Sequence, residues 1–229
     1  MQLGLLEAKI GYTFKDKDFL KEALTHRSYL NERPAWGISH NERLEFLGDA
    51  VLELITTEEL FKRYPDYTEG QLTPIRSALV NYQIMAEMAG EMSLGDFILL
   101  SRGEAKGMDR AKEVILANAL EALIGAVYLD GGYVAARTFI LRFVMNHLED
   151  VMRRGLYKDA KSMLQEKIQE FKKVTPTYEI LEEKGPDHEK MFTVGVYYDG
   201  TLAGQGSGYS KQEAEVEAAK IALKELDKY

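Results

Sequence analysis

Apolar residues recur three and four apart through roughly the first 150 positions, the spacing that lines one face of a helix. The pattern is interrupted at Arg33-Pro34, Tyr64-Pro65-Asp66, Gly95-Asp96 and Asp130-Gly131-Gly132, where proline and glycine end or turn a helix. This predicts an all-α bundle over residues 1–152. The period lapses over Arg153-Arg154-Gly155-Leu156-Tyr157-Lys158, which reads as a linker at 153–158. Beyond it the helical spacing returns over about 160–172. It then gives way to alternation, as in Phe192, Val194 and Val196, which predicts strands over about 177–183, 190–198 and 201–209. Asp199-Gly200 between the last two runs is a strong hairpin signal, and a final helix follows over about 211–228. The fold class is therefore multidomain: an all-α domain followed by an α+β domain of order α-β-β-β-α at 159–229.

Composition agrees with this division and narrows the function. A chain of 229 residues, 45% hydrophobic, can support two cores. The absence of cysteine excludes disulfides and thiolate zinc sites. The start, MQLGLLEAKIGYTF, lacks a basic region and a small-residue cleavage site, and no apolar run is expected to approach the roughly 20 residues of a membrane span. The expectation is a cytoplasmic protein with no membrane partner. The net charge of −8 excludes holding nucleic acid by bulk positive charge. Residues 159–229 carry ten Lys against fourteen acidic residues, so a nucleic-acid partner would have to be gripped by a local arrangement of cations and dipoles. A solubilising excess of acid explains the same charge.

On a helical wheel, Glu42, Glu45, Asp49 and Glu53 of the segment His40–Leu54 share one sector, with Leu44, Leu47, Val51, Leu54 and Ile55 on the far side. Glu45 and Asp49, four apart, can direct both carboxylates at one point. Like charges at that spacing cost a few tenths of a kcal/mol unless a cation opposes them. A divalent metal would serve, and so would plain solvation of an acidic face. A second segment, Ile115–Tyr128, is nearly all apolar. Its exceptions, Asn118 and Glu121, share a narrow sector with Gly125, opposite Leu116, Leu120, Leu123 and Val127. A carboxylate on such a helix needs a hydrogen bond, an ion pair or a metal. An arginine partner or a partly exposed position for Glu121, and an ordinary buried amide at Asn118, are the structural alternatives.

The run His40 to Leu52, HNERLEFLGDAVL, and the run Ile115 to Gly132, ILANALEALIGAVYLDGG, resemble the two catalytic segments of the ribonuclease III family. Tyr67–Leu72, Leu79–Asn81 and Leu99–Glu104 are similar to the same family, so the likeness covers nearly the whole chain. It implies an endonuclease that cuts double-stranded RNA, as in rRNA and mRNA processing, leaving 5′-phosphate and 3′-hydroxyl ends with short 3′ overhangs. Glu45, Asp49, Asn118 and Glu121 would be catalytic and hold Mg²⁺, with Mn²⁺ able to substitute, since hard oxygen donors suit both ions. Metal-activated water would attack the phosphodiester. Glu42 and Glu69 would be accessory acids, and no small-molecule cofactor is implied. The family's dimerisation puts Phe46 at a homodimer contact, where core packing is the alternative. The commonest family pattern has Asp at position 118. Asn118 costs the site one negative charge and raises a second reading, a form that binds double-stranded RNA but cleaves it poorly.

The α-β-β-β-α order, with Gly185-Pro186-Asp187-His188 in the first loop and Gly204–Lys211 before the last helix, resembles a double-stranded-RNA-binding domain. The likeness implies that Gln165, Glu166 and His188 reach ribose hydroxyls and that Ser210 and Lys211, at a helix start, take a phosphate. Ser210 is equally an N-cap, and a histidine in a turn is commonly only solvated. Gln212 stands where the family often continues with basic residues. An RNA-independent helical interaction protein would leave the second domain unexplained.

Overall fold

Two long helices, α4 (Glu42–Arg63) and α7 (Asp109–Phe143), pack along each other in the first part of the chain. Around them lie α1 (Leu3–Ile10), α2 (Lys17–Ala23), α3 (Arg27–Glu32), α5 (Glu69–Leu79), α6 (Tyr82–Glu91) and α8 (Leu148–Arg154). This computed structural model describes residues 2–106, 109–155, 157, 160–186 and 190–226, and it divides into two units, 1–157 and 158–229.

Local chemistry sets the helix ends. Glu42 and Glu45 occupy the first turn of α4 and Lys62 and Arg63 its last, matching the helix dipole at both termini. Thr68 and Gln71 form a capping box at the start of α5, and Asn81 caps α6 by accepting from the Ile84 N–H. The core joins Leu44, Leu52 and Ile55 of α4 to Leu120, Leu123 and Val127 of α7 and to Met85 and Met88 of α6. Near the far end of α4, the buried Glu59 accepts from Arg137 of α7 at 2.9 Å. A buried carboxylate is tolerable because it is paired this way.

The second unit packs α9 (Ala160–Lys172) and α10 (Lys211–Leu226) on an antiparallel sheet of β1 (Thr177–Lys184), β2 (Met191–Tyr198) and β3 (Thr201–Gly208), in the order β1-β2-β3. Asp199 and Gly200 both have positive φ, 50° and 72°, as a two-residue hairpin with the right twist requires. Ala214, Ala218 and Ala222 of α10 lie directly on Gly204, Gly206 and Gly208 of β3, so close that a Cβ at Gly206 would sit 2.2 Å from the Ala218 nitrogen. Leu164, Ile168 and Val196 fill the rest of this small core.

Three expectations need correction. The predicted break at Asp130-Gly131-Gly132 is a kink within α7, made by Gly132 at φ 74° and ψ −174°. Asp130 is fixed there by accepting from the Tyr12 hydroxyl at 2.6 Å and from the Lys15 and Asp16 N–H groups at 2.9 Å. Helix α8 runs through Arg153 and Arg154, two residues into the expected linker, where both arginines pair with Asp150. The stretch Ala111–Arg154 is long and apolar enough to pass for a membrane span, contrary to the expectation of no such run. Half of its most apolar window is buried inside the unit, with Leu120, Leu123 and Val127 in the core.

Candidate active site

The crossing of α4 and α7 is glycine on glycine. A Cβ at Gly48 would lie 1.7 Å from the Glu121 carbonyl oxygen, and one at Gly125 would lie 2.3 Å from the Leu44 carbonyl oxygen. No side chain fits at either place, so the two backbones touch. The contact brings Glu45 and Asp49 of α4 within Coulombic reach of Glu121 on α7, with Asn118 one turn earlier on the same helix.

The electrostatics of this group are unfavourable as they stand. Burial, then the Asp49 and Glu45 carboxylates, push the Glu121 carboxyl up to about 7. Glu45 is also raised, by burial and then by Glu42 and Asp49, while hydrogen bonding to the Asn118 amide pulls it back. The rest of the acidic stripe is compensated: Glu42 lies 3.6 Å from Arg27 and 3.8 Å from His40, and Glu53 lies 2.9 Å from Arg76. Among the described residues no ion pair involves Glu45, Asp49 or Glu121, so the arginine partner considered for Glu121 is not found. No three acidic or histidine side chains among the described residues stand close enough to close a metal-binding group. Three carboxylates and an amide oxygen with no cation among them are a donor set suited to a hard divalent ion.

The other candidates are more scattered. Glu69 opens α5, is exposed, and accepts from Thr73 of its own helix at 3.0 Å. Phe46 is 81% exposed beside Glu45, so core packing is not its role. Gln165 and Glu166 are exposed on α9. Ser210 caps α10 by accepting from the Glu213 N–H at 3.1 Å, while Lys211 is exposed with its ammonium 5.7 Å from the Phe192 ring. His188 lies outside the described residues.

A ribonuclease-III-like family model matches residues 16–148, and a double-stranded RNA binding motif matches residues 160–226. The chain belongs to the ribonuclease III family. Ribonuclease 3 of Desulforamulus reducens is 44% identical over 226 residues, covering 99% of this chain and 92% of that protein. Ribonuclease 3 of Carboxydothermus hydrogenoformans is 47% identical over 221 residues, covering 96% and 94%. The nuclease domain of ribonuclease III from Campylobacter jejuni, described as having structural flexibility in a region involved in dimer formation, superposes with a TM-score of 0.58 at 43% identity. It covers 63% of this chain and 97% of that domain. The nuclease match spans both α4 and α7, and the second match spans the whole α-β-β-β-α unit.

Sequence reasoning missed Gly48 and the partners of Glu42. A signal for Gly48 was present, because it sits between Glu45 and Asp49 while Gly125 sits four residues after Glu121. Gly125 lies inside the Asn118/Glu121 sector and Gly48 borders the acidic sector of α4, and small residues so placed mark where two helices can touch. Nothing in the spacing pointed to Arg27, which meets Glu42 only through the turn between α2 and α3.

Proposed function

We propose that this protein is a divalent-metal-dependent endonuclease that hydrolyses double-stranded RNA to 5′-phosphate and 3′-hydroxyl ends with short 3′ overhangs, in rRNA and mRNA processing in the cytoplasm. The observation that carries this reading is the set of uncompensated carboxylates, Glu45, Asp49 and Glu121, gathered at a glycine crossing. With the Asn118 amide oxygen they would hold Mg²⁺, or Mn²⁺ in its place. When bound, the ion supplies a water nucleophile at neutral pH and offsets charge at the reacting phosphate.

The chain's own residues do the remaining work. Glu121, within the buried stretch of α7 that begins at Ala117, fixes the donor set against the core, and Glu45 and Asp49 complete it from the other side. Glu42, held at the rim by Arg27 and His40, serves with Glu69 as an accessory acid. The second unit grips A-form RNA by shape through Gln165, Glu166 and His188, with Ser210 and Lys211 at a phosphate. The partner subunit of a homodimer would cover Phe46, Leu54 and Phe61, which are 81%, 60% and 71% exposed along one flank of α4. Sedimentation equilibrium at micromolar concentration should report twice the chain mass, and a monomer would remove the dimer from this account.

The direct test is a long perfect RNA duplex incubated with Mg²⁺ and with EDTA, its product ends resolved on a gel. Metal-dependent fragments with short 3′ overhangs support the reading, and an intact duplex that is bound tightly supports the second one, a cleavage-impaired binder. That second reading rests on Asn118, which gives the site one charge fewer than an aspartate would. Asn118→Asp is expected to bind Mg²⁺ more tightly and to cleave faster at limiting Mg²⁺, and equal rates across a Mg²⁺ titration would contradict it.

A further inference from the structure

The proposed donor set comes from two helices that share a glycine crossing, but the first turns of each are held by something else. Three of the buried polar residues, Thr25, Ser28 and Asn41, sit in one network between α2, α3 and the start of α4. The Thr25 hydroxyl donates to the Lys21 carbonyl at 2.7 Å and accepts from Trp36 Nε1 at 3.2 Å. Its carbonyl accepts from the Asn41 N–H at 2.9 Å, and the Asn41 carbonyl in turn accepts from the Glu45 N–H at 2.9 Å. The network thus ends on the first turn of α4, at the residue that carries a donor carboxylate.

The same turn holds the segment that leads into α7. Leu99 bridges to Thr25, donating to the Leu24 carbonyl at 2.8 Å and accepting from the His26 N–H at 3.1 Å. Two residues on, the Ser101 N–H donates to Ser28 Oγ at 3.1 Å, and the Arg102 N–H donates to Glu32 at 3.1 Å. Ser101 Oγ then accepts from the Glu104 N–H at 3.2 Å. This strap matters because α7 leaves it before reaching the core: residues 111–114 are exposed, and full burial begins at Ala117, next to Asn118. Arg27, adjacent to Ser28, also pairs with Glu42. One short stretch, residues 25–28, therefore touches the entry to α4 and, at Leu99 and Ser101, the segment that precedes α7.

We infer that Ser28 is a positioning residue for the cleavage site, its hydroxyl tying the strap that leads into α7 to the turn whose backbone holds the first turn of α4. The inference rests on the function proposed above and adds a residue that touches neither metal nor RNA. Buried polar groups in a fully bonded network hold one geometry, and a displacement of about 1 Å in a donor set can cost on the order of 100-fold in rate.

The experiment compares Ser28→Ala, Thr25→Val and Thr25→Ser with the native chain, with Glu121→Gln alongside. For each, kcat and KM on duplex RNA, the Mg²⁺ midpoint and the urea unfolding midpoint are measured. Valine keeps the shape of threonine without its hydroxyl, and serine restores the hydroxyl. Expected are a fall in kcat of about tenfold or more in Ser28→Ala, KM within about twofold and a raised Mg²⁺ midpoint, with a smaller change in Thr25→Val, whose lost hydroxyl reaches only Lys21 and Trp36, and its recovery in Thr25→Ser. A lowered unfolding midpoint with native kcat and Mg²⁺ midpoint would make the network structural only and overturn the inference. If Thr25→Val does not fold, Ser28→Ala decides by itself. Inactive Glu121→Gln beside fully active Ser28→Ala would sink this inference alone, whereas active Glu121→Gln would sink the site itself.

Discussion

Gly48→Ala is expected to lose stability and cleavage together. Its new Cβ would stand 1.7 Å from the carbonyl oxygen of Glu121, and the obstacle is backbone, so no side chain can swing aside. The helices must part by about 1–2 Å, an overpacking cost of about 1–3 kcal/mol or more. The displaced group is the residue whose carboxylate completes the donor set, so cleavage should fall on the order of 100-fold. Urea unfolding and single-turnover cleavage measure the two effects. Gly125→Ala, with 2.3 Å between its Cβ and the Leu44 carbonyl oxygen, should behave in the same way. Native turnover in either variant would mean that the crossing does not set the site's geometry.

Glu121→Gln should separate the charge of the site from its packing. The Glu121 carboxyl is raised from 4.5 to about 7 in the folded chain, so between those values the folded state binds more protons than the unfolded one. Stability of the metal-free protein from this group therefore falls as pH rises from 4.5 to about 7, and stays level above that. The glutamine variant removes this slope, and at about pH 8 without metal it should unfold at a higher temperature than the native chain. Mg²⁺ binds the ionised form, so its stabilising effect should be larger at about pH 8 than at about pH 6 in the native protein and small in the variant. Thermal unfolding with and without Mg²⁺ at both values checks this. A variant that gains as much from Mg²⁺ as the native chain would place the metal elsewhere.

Much of this architecture was readable from residue patterns because those patterns are local. Asp199-Gly200 specifies a turn that needs two positive φ angles, and the alternation around Val194 and Val196 specifies a half-buried strand. The acids Glu45, Asp49 and Glu121 were legible as exceptions on otherwise apolar or mixed helices. The wheel put Leu54 opposite the acids, but a helical wheel separates apolar from polar residues without saying whether an apolar flank faces the core. Phe46, Leu54 and Phe61 form a second apolar flank that is left exposed. The Thr25 network was invisible for a different reason. Its bonds run through backbone groups of residues as distant as Leu99 and Ser101, and no spacing along the chain encodes such pairs.

The central claim is that the carboxylates gathered by α4 and α7 form one metal-dependent cleavage centre. Its most direct test is duplex RNA cleavage by the native chain and Glu121→Gln, side by side across a Mg²⁺ series, with product ends identified. The account predicts 5′-phosphate and 3′-hydroxyl fragments from the native chain, rising with Mg²⁺, and on the order of 100-fold less product from the variant at saturating Mg²⁺. Equal product from both proteins would contradict it.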